Sequence, residues 1–245
     1  MITAYHRPKT LDEALALLTR PNTLPLGGGT LLSRPTTDSV EVVDLQSLGL
    51  DTIKKNGNNL EFGATLSLQS LLESKHCPSA LISALKLEAP LNIRNSATVA
   101  GTLVTCDGRS TFASLLLAMD AKITVINEQS SVLGIGEFLP LRPRGLITSI
   151  AIPLNIKLAF EYVSKTPSDK PIVCAALAQW NSGRTRLVLG GYGKSPILAM
   201  DGTEAEGVDT AARNAYHEAT DEYASAEYRM DIASTLAKRC MEGLK

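Results

Sequence analysis

The residues best suited to chemistry in this chain are small ones. Gly27-Gly28-Gly29-Thr30 follows a short apolar segment, Leu24-Pro25-Leu26. Consecutive glycines leave backbone N–H groups unshielded and permit positive φ, which lets a chain wrap closely round a phosphate. Thr30 adds a hydroxyl donor. A plain turn would use the same residues without any ligand, so both readings stand on these four residues alone. The run is neither GxGxxG nor GxxxxGK followed by Ser or Thr, so neither the Rossmann nor the P-loop mechanism applies. A second segment, Thr98-Val99-Ala100-Gly101-Thr102, is weak alone, because small residues at a bend can simply pack tightly. Paired with the first, about seventy positions earlier, it could clasp a long dinucleotide from two sides.

Other chemistry-like patterns carry less. Gly190-Gly191-Tyr192-Gly193-Lys194-Ser195 ends in Gly-Lys-Ser, but a P-loop needs glycine where the chain has Val188 and a helix where it has Pro196. Its glycines are expected to shape a hairpin or strand exit. Asp201, Glu204, Glu206 and Asp209 read as a solvated loop with helix-start charges rather than paired acid–base carboxylates. Lys238 and Arg239 suit the last turns of a helix. Cys77, Cys106, Cys174 and Cys240 form no CxxC, and His6, His76 and His217 are dispersed, which argues against a zinc site or an iron–sulfur cluster held by this chain. The thiols read as reduced small hydrophobes. HExxH and GxSxG are absent, so no catalytic residue and no metal ligand is assigned.

The elements that must position the two small-residue segments follow from periodicity and punctuation. Ile2 to His6 suits a short strand. Thr10 with Glu13 has the form of a capping box, and Leu11, Ala14, Leu15 and Leu18 share a face, which predicts a helix over about Leu11–Thr19. Val40 to Leu45 and Leu60 to Ala64 read as strands, the second after the Asn56-Gly57-Asn58-Asn59 turn. Leu68–Leu72, Ser79–Leu87 and Ser110–Met119 look helical, whereas Arg94–Thr102 is poor helix material. Lys122–Ile126 and Leu146–Ile152 read as strands, the latter ended by Pro153. Beyond Asn155, Phe160–Val163, Ile172–Trp180 and Thr185–Leu189 read as a three-strand meander, followed by helices over about Thr210–Tyr223 and Ser225–Gly243. A boundary is therefore expected near Leu154–Leu158. No internal repeat or low-complexity tract is seen.

Composition bounds the function classes. At about 150 residues per domain, 245 residues give one large domain or two unequal ones. Hydrophobic residues at 44% and charged residues at 20% are ordinary globular usage, which disfavours disorder. A formal net charge of -1 offers no global field for nucleic acid or an anionic membrane. Only 4% of residues are aromatic, so base stacking is demoted as a binding device. No stretch reaches the roughly 18 apolar residues of a membrane span, and the amino terminus lacks a basic region followed by an apolar one. The chain is read as cytoplasmic.

Taken together, the two small-residue segments resemble those of a known family. Pro25-Leu26-Gly27-Gly28-Gly29-Thr30-Leu31-Leu32 is similar to the Ala-Gly-Gly-Thr-Asp-Leu loop of the flavin (medium) subunit of molybdenum hydroxylases, the xanthine dehydrogenase and carbon monoxide dehydrogenase flavoprotein family. Ile93 to Thr102 resembles its Ile-Arg-Asn-Val-Ala-Thr-Ile-Gly-Gly-Asn segment, at agreeing spacing. The likeness continues through Ser114–Ala121, Leu146–Pro153 and Ser225-Ala226-Glu227-Tyr228-Arg229, similar to the family's Ala-Ser-Glu-Tyr-Arg helix. It implies an α+β fold: a two-lobed FAD-binding domain of the vanillyl-alcohol-oxidase-like type over residues 1–155, with lobes of about 1–55 and 56–155. A small C-terminal α+β domain over 156–245, with a three-stranded antiparallel sheet plus helices, would follow.

The resemblance also implies FAD, held at Leu26, Gly27, Gly28, Gly29, Thr30, Leu31, Thr98, Ala100, Gly101, Thr102 and Thr111, the first loop's amides holding the pyrophosphate. The flavin would carry the redox chemistry, passing electrons to an external acceptor from clusters on an iron–sulfur subunit, with molybdopterin on a large subunit. The chain departs from the family at Leu31 (usually acidic), Ala100 (usually Gly), Thr102 (commonly Asn) and Thr111 (an Asp beside the flavin ring), and the segment from Phe138 to Leu146 is short. Each lost polar partner removes about 0.5–1.5 kcal/mol. The alternatives are a degenerate member with weak or no FAD binding that serves as a structural or assembly subunit, or a binder of another small ligand.

Overall fold

The computed structural model describes residues 1–35 and 37–244. The chain opens with β1 (Ile2–His6), α1 (Leu11–Leu18), β2 (Thr23–Leu26) and β3 (Val40–Asp44), a parallel sheet in the order β1-β3-β2. Helix α1 starts where the capping box predicts: the Thr10 hydroxyl accepts from the Glu13 amide, and the Glu13 carboxylate accepts from the Thr10 amide. Its Ala14 packs with Val43, Leu45 and Leu146. Because β2 and β3 run parallel, the chain leaves β2 at Leu26, whose carbonyl accepts from the Leu45 amide just past β3.

The middle of the chain builds a five-stranded antiparallel sheet. Its strands are β4 (Ile53–Asn56), β5 (Asn59–Gly63), β6 (Lys122–Ile126), β7 (Ser130–Gly134) and β8 (Leu146–Pro153), in the order β4-β5-β8-β6-β7. Helices α2 (Leu68–Glu73), α3 (Ser79–Glu88), α4 (Leu91–Ser96), α5 (Val99–Thr105) and α6 (Thr111–Ala118) lie between β5 and β6, and α7 (Ile135–Leu141) between β7 and β8. Here Arg94–Thr102 departs from the expectation of a non-helical stretch: it holds the end of α4 and the start of α5. Thr98 caps α5 by accepting from the Gly101 amide at 3.2 Å, and Val99 and Leu103, four apart, are both buried. Capping and burial override the poor propensity of Gly, Thr and Val. Every residue of α6 is buried, its two hydroxyls included: Thr111 donates to the Ala84 carbonyl and Ser114 to the Ser110 carbonyl.

The C-terminal part is an antiparallel meander of β9 (Ile156–Val163), β10 (Val173–Trp180), β11 (Thr185–Gly190) and β12 (Ile197–Gly202), then α8 (Val208–Asn214) and α9 (Ala226–Gly243). It has one strand more than the sequence reading, because Ile197–Gly202 pairs with β11 directly after Pro196. Helix α8 is shorter than expected, ending at Asn214. Alternating residues of β10 and β11 face opposite ways. Ala176, Ala178 and Val188 join the core around α6, while Ala175, Leu177, Leu187 and Leu189 join the core under α8 and α9. The glycines after β11 pack onto the α5–α6 connection: the Gly108 amide donates to the Gly193 carbonyl at 2.9 Å, and the Gly191 amide to the Gly108 carbonyl at 2.7 Å.

Two polar clusters tie these layers together. Asp201 corrects the expectation of a solvated loop residue. It lies on β12 and accepts from Arg184 at 2.8 and 2.9 Å and from Arg186 at 3.1 Å, and both arginines also pair with Asp120 just after α6. The Arg184 hydrogen bonds hold its carboxyl below the usual range. Arg229 on α9 is wholly buried, and donates to the carbonyls of Ala219 and Ala224 and to both oxygens of Asp221 at 2.8 and 3.0 Å. Asp209 pairs with Lys238 at 3.2 Å across α8 and α9.

Candidate functional site

Past Leu26 the chain turns at Gly27, Gly28 and Gly29. Gly29 has φ +69°, the left-handed region, and its carbonyl accepts from Ser33 at 3.0 Å. Among the described residues, the backbone N–H groups of Gly27 to Leu32 donate to no group of the chain. Unpaired amides need partners, and a run of them at a strand end concentrates partial positive charge where an anion can sit. The exposed Arg34 guanidinium borders the same space without an ion pair among the described residues.

The second segment meets the first directly. A Cβ on Gly28 would lie 1.6 Å from the Ser96 carbonyl oxygen, and one on Gly27 would lie 2.8 Å from the Thr98 hydroxyl. The amides of Val99 to Thr102 are engaged: Val99 donates to Leu66 at 2.9 Å, Ala100 to Ala64 at 3.2 Å, Gly101 to the Thr98 hydroxyl, and Thr102 to the Thr98 carbonyl at 2.9 Å. The Thr102 hydroxyl is turned back onto the same carbonyl. The expected clasp from two sides is thus corrected: the two segments touch and form one continuous wall. The first supplies free donors, and the second supplies shape.

That wall borders a cleft of about 590 Å³, within the usual size of small-molecule and cofactor pockets. Gly27, Gly28, Gly29, Thr30, Leu31, Thr98, Ala100, Gly101 and Thr102 all line it. Leu26 and Thr111 do not. Leu26 ends its strand beneath the loop, and Thr111 is 1% exposed, its hydroxyl donating to the Ala84 carbonyl at 2.7 Å.

Several lining residues escape sequence reasoning. Glu88 ends α3 in a run that looks purely structural, and Lys170 comes from the β9–β10 connection, where Arg109 donates to its carbonyl at 2.9 Å. Gly145, with φ +143°, enters through the short connection between α7 and β8, which Arg142 pins by donating to the carbonyls of Val104 and Cys106. The shortness of that connection was the only signal available for it. Burial pushes the Cys106 thiol up to about 11, so it is a neutral wall residue rather than a nucleophile. Among the described residues, no three His, Cys, Asp or Glu side chains are grouped to hold a metal ion, and no helix is long and apolar enough to cross a membrane.

Comparison with known proteins places the chain and its fold in a family. The Escherichia coli (strain K12) protein YgfM is 28% identical over 245 residues, covering 96% of this chain and 94% of the relative. The carbon monoxide dehydrogenase medium chain of Afipia carboxidovorans is 24% identical over 277 residues, covering 98% and 96%. Among solved structures, the cyanide-inactivated Cu,Mo-CO dehydrogenase has the same fold, with a TM-score of 0.82 at 24% identity over 100% of this chain and 98% of that one. Residues 1–155 match the family model described as the FAD binding domain in molybdopterin dehydrogenase. The chain belongs to that FAD-binding family of oxidoreductase subunits.

Proposed function

We propose that this chain is the FAD-binding, electron-transferring medium subunit of a molybdenum hydroxylase complex, working beside an iron–sulfur subunit and a molybdopterin-binding large subunit in the cytoplasm. The observation that carries the reading is the run of unpaired amides from Gly27 to Leu32 in the wall of a cofactor-sized cleft. These residues fit FAD. The amides and the Thr30 hydroxyl would hold the pyrophosphate, with Arg34 adding charge from the rim. Thr98, Ala100, Gly101 and Thr102 would keep the wall thin where the dinucleotide passes. When bound, FAD supplies the redox chemistry, accepting electrons from a partner's clusters and releasing them to an external acceptor. The chain's own residues bind it, orient it and exclude water.

The departures at Leu31, Ala100, Thr102 and Thr111 leave this binding to the backbone. Backbone amides do not depend on side-chain identity, which is why the reading survives those substitutions. The partners are supported by the naming of the carbon monoxide and glyceraldehyde dehydrogenase relatives as medium chains. The same proposal divides the work at about residue 155: residues 1–155 hold the cofactor, while 156–245 close the cleft through the segment that carries Lys170. The test is to incubate purified protein with FAD and pass it through gel filtration. Flavin absorbance co-eluting with the protein is expected. A colourless protein would sink the electron-transfer role and leave a structural subunit or the binder of another ligand.

A further inference from the structure

We propose that Glu88 reads an N–H donor carried by one of the dinucleotide's ring systems and so fixes which way round the ligand lies in the cleft; this rests on the FAD reading above. Glu88 is the last residue of α3, and its carboxylate reaches the start of α6. Oxygen Oε2 accepts from the Phe112 amide at 2.9 Å and from the Ser110 hydroxyl at 2.9 Å. It also lies 3.2 Å from the Thr111 hydroxyl, whose single proton is better used on the Ala84 carbonyl at 2.7 Å. One oxygen is therefore clamped, and the clamp fixes the plane of the group.

The other oxygen, Oε1, accepts from no donor among the described residues, and no cation pairs with Glu88 there; Lys170, which also lines the cleft, points its ammonium at Asp107, 3.9 Å away. A carboxylate has room for about four hydrogen bonds, so Glu88, which lines the cleft, keeps one oxygen free of any partner among the described residues and accessible for a ligand donor. An acceptor of this kind selects a donor. The phosphates are acceptors only and are repelled by Glu88, which leaves them to the Gly27–Leu32 amides. Hydroxyls can turn to donate or accept, so a fixed acceptor discriminates them poorly. A heterocyclic N–H donates only, and a site built to bond such a group rejects an analogue that lacks it. In FAD that chemistry occurs at the flavin imide and at the adenine amine.

The test measures binding of FAD, of 3-methyl-FAD, which lacks the imide N–H, and of FAD carrying unsubstituted purine in place of adenine, which lacks the 6-amino group. The unmodified protein is expected to bind one of the two analogues at least about tenfold more weakly than FAD, and which one it rejects names the ring. The variant Glu88→Gln sharpens this. The Phe112 amide needs an oxygen at the clamped position, so the side-chain NH2 must face the cleft, turning an acceptor into a donor while the α6 cap survives. Glu88→Gln should bind FAD at least about tenfold more weakly and lose its discrimination against that analogue, with an unchanged melting temperature. Equal affinity for all three ligands in the unmodified protein overturns the proposal without touching FAD binding, and this arm stands even if the variant fails to fold. A Glu88→Gln protein that binds FAD as tightly as the unmodified one also overturns it, leaving Glu88 a helix cap. An unmodified protein that binds no FAD overturns both readings.

Discussion

Gly28 and Gly29 are neighbours that need to be glycine for different reasons. At Gly28 a Cβ would sit inside the Ser96 backbone, whereas at Gly29 the nearest atoms lie at 3.4 and 3.5 Å and only the positive φ objects. Gly29→Ala should therefore cost roughly 1–2 kcal/mol in folding stability, the price of a left-handed alanine. Gly28→Ala must push the two wall segments apart, and should lower both stability without ligand and FAD affinity by a larger margin. Denaturant melts of the ligand-free variants check this, and equal costs would contradict the loop-to-loop packing. Thr111 gives a second case. The resemblance suggests that an aspartate there would improve the site, but the hydroxyl lies 3.2 Å from the Glu88 carboxylate and is buried. Thr111→Asp should cost at least about 2 kcal/mol at neutral pH. Burial and the like charge would raise its carboxyl above the unfolded value of about 4, so the loss should shrink as the pH falls through that raised value. Melting temperatures across pH follow this directly. Gly27–Thr30 was legible as a candidate because its signal is local; Glu88 was not, because its contacts with Ser110 and Phe112 exist only once α3 meets α6.

At the scale of elements, the sequence was readable where the signal lies within one turn. The Thr10–Glu13 box marks α1, the largely apolar Thr111–Ala118 run marks α6, and Lys122–Ile126 is a strand at the residues expected. It was unreadable where a partner decides, as for α5, which is held by Thr98 and by buried Val99 and Leu103, and for β12, held by β11. Helix α9 joins the two cases. Its cap at Ser225 is local, while the value of Arg229 lies in reaching back to Asp221 and the Ala219 and Ala224 carbonyls. Burial pushes the Asp221 carboxyl up, but the Arg229 hydrogen bonds and the Tyr223 and Ala224 amides outweigh it, so the net shift is downward. A carboxyl depressed by folding stabilises above its unfolded value of about 4, and that contribution is lost as the pH falls through the lower folded value. Asp221→Asn should therefore lower the melting temperature at neutral pH and remove part of the acid sensitivity below pH about 4. An unchanged acid limb in the variant would show that other carboxylates govern it.

On the scale of the whole molecule, the family match and the fold part company at residue 155. The match ends there, yet α6 is packed against α3 on one side and against β10 and β11 on the other, and Ala176, Ala178 and Val188 belong to the same core as Leu60, Phe62 and Phe112. Trp180 and Phe160 pack on that core as well. Cutting the chain after residue 155 would strip one side of a helix with no exposed face, uncovering several buried apolar side chains at about 25 cal/mol per Å². It would also remove Lys170 from the lining of the cleft, together with the Lys170 and Pro171 carbonyls that anchor Arg109. Folded domains have a net stability of only about 5–15 kcal/mol, which such exposure readily exceeds. The 1–155 fragment is therefore expected to bind a hydrophobic dye, to lack a cooperative melt and to lose FAD, even though it contains every residue of the Gly27–Leu32 loop. A fragment that melts cooperatively and binds FAD as the full chain does would show that the C-terminal sheet only covers a self-sufficient cofactor domain, and that the shared core around α6 contributes little to holding the cleft open.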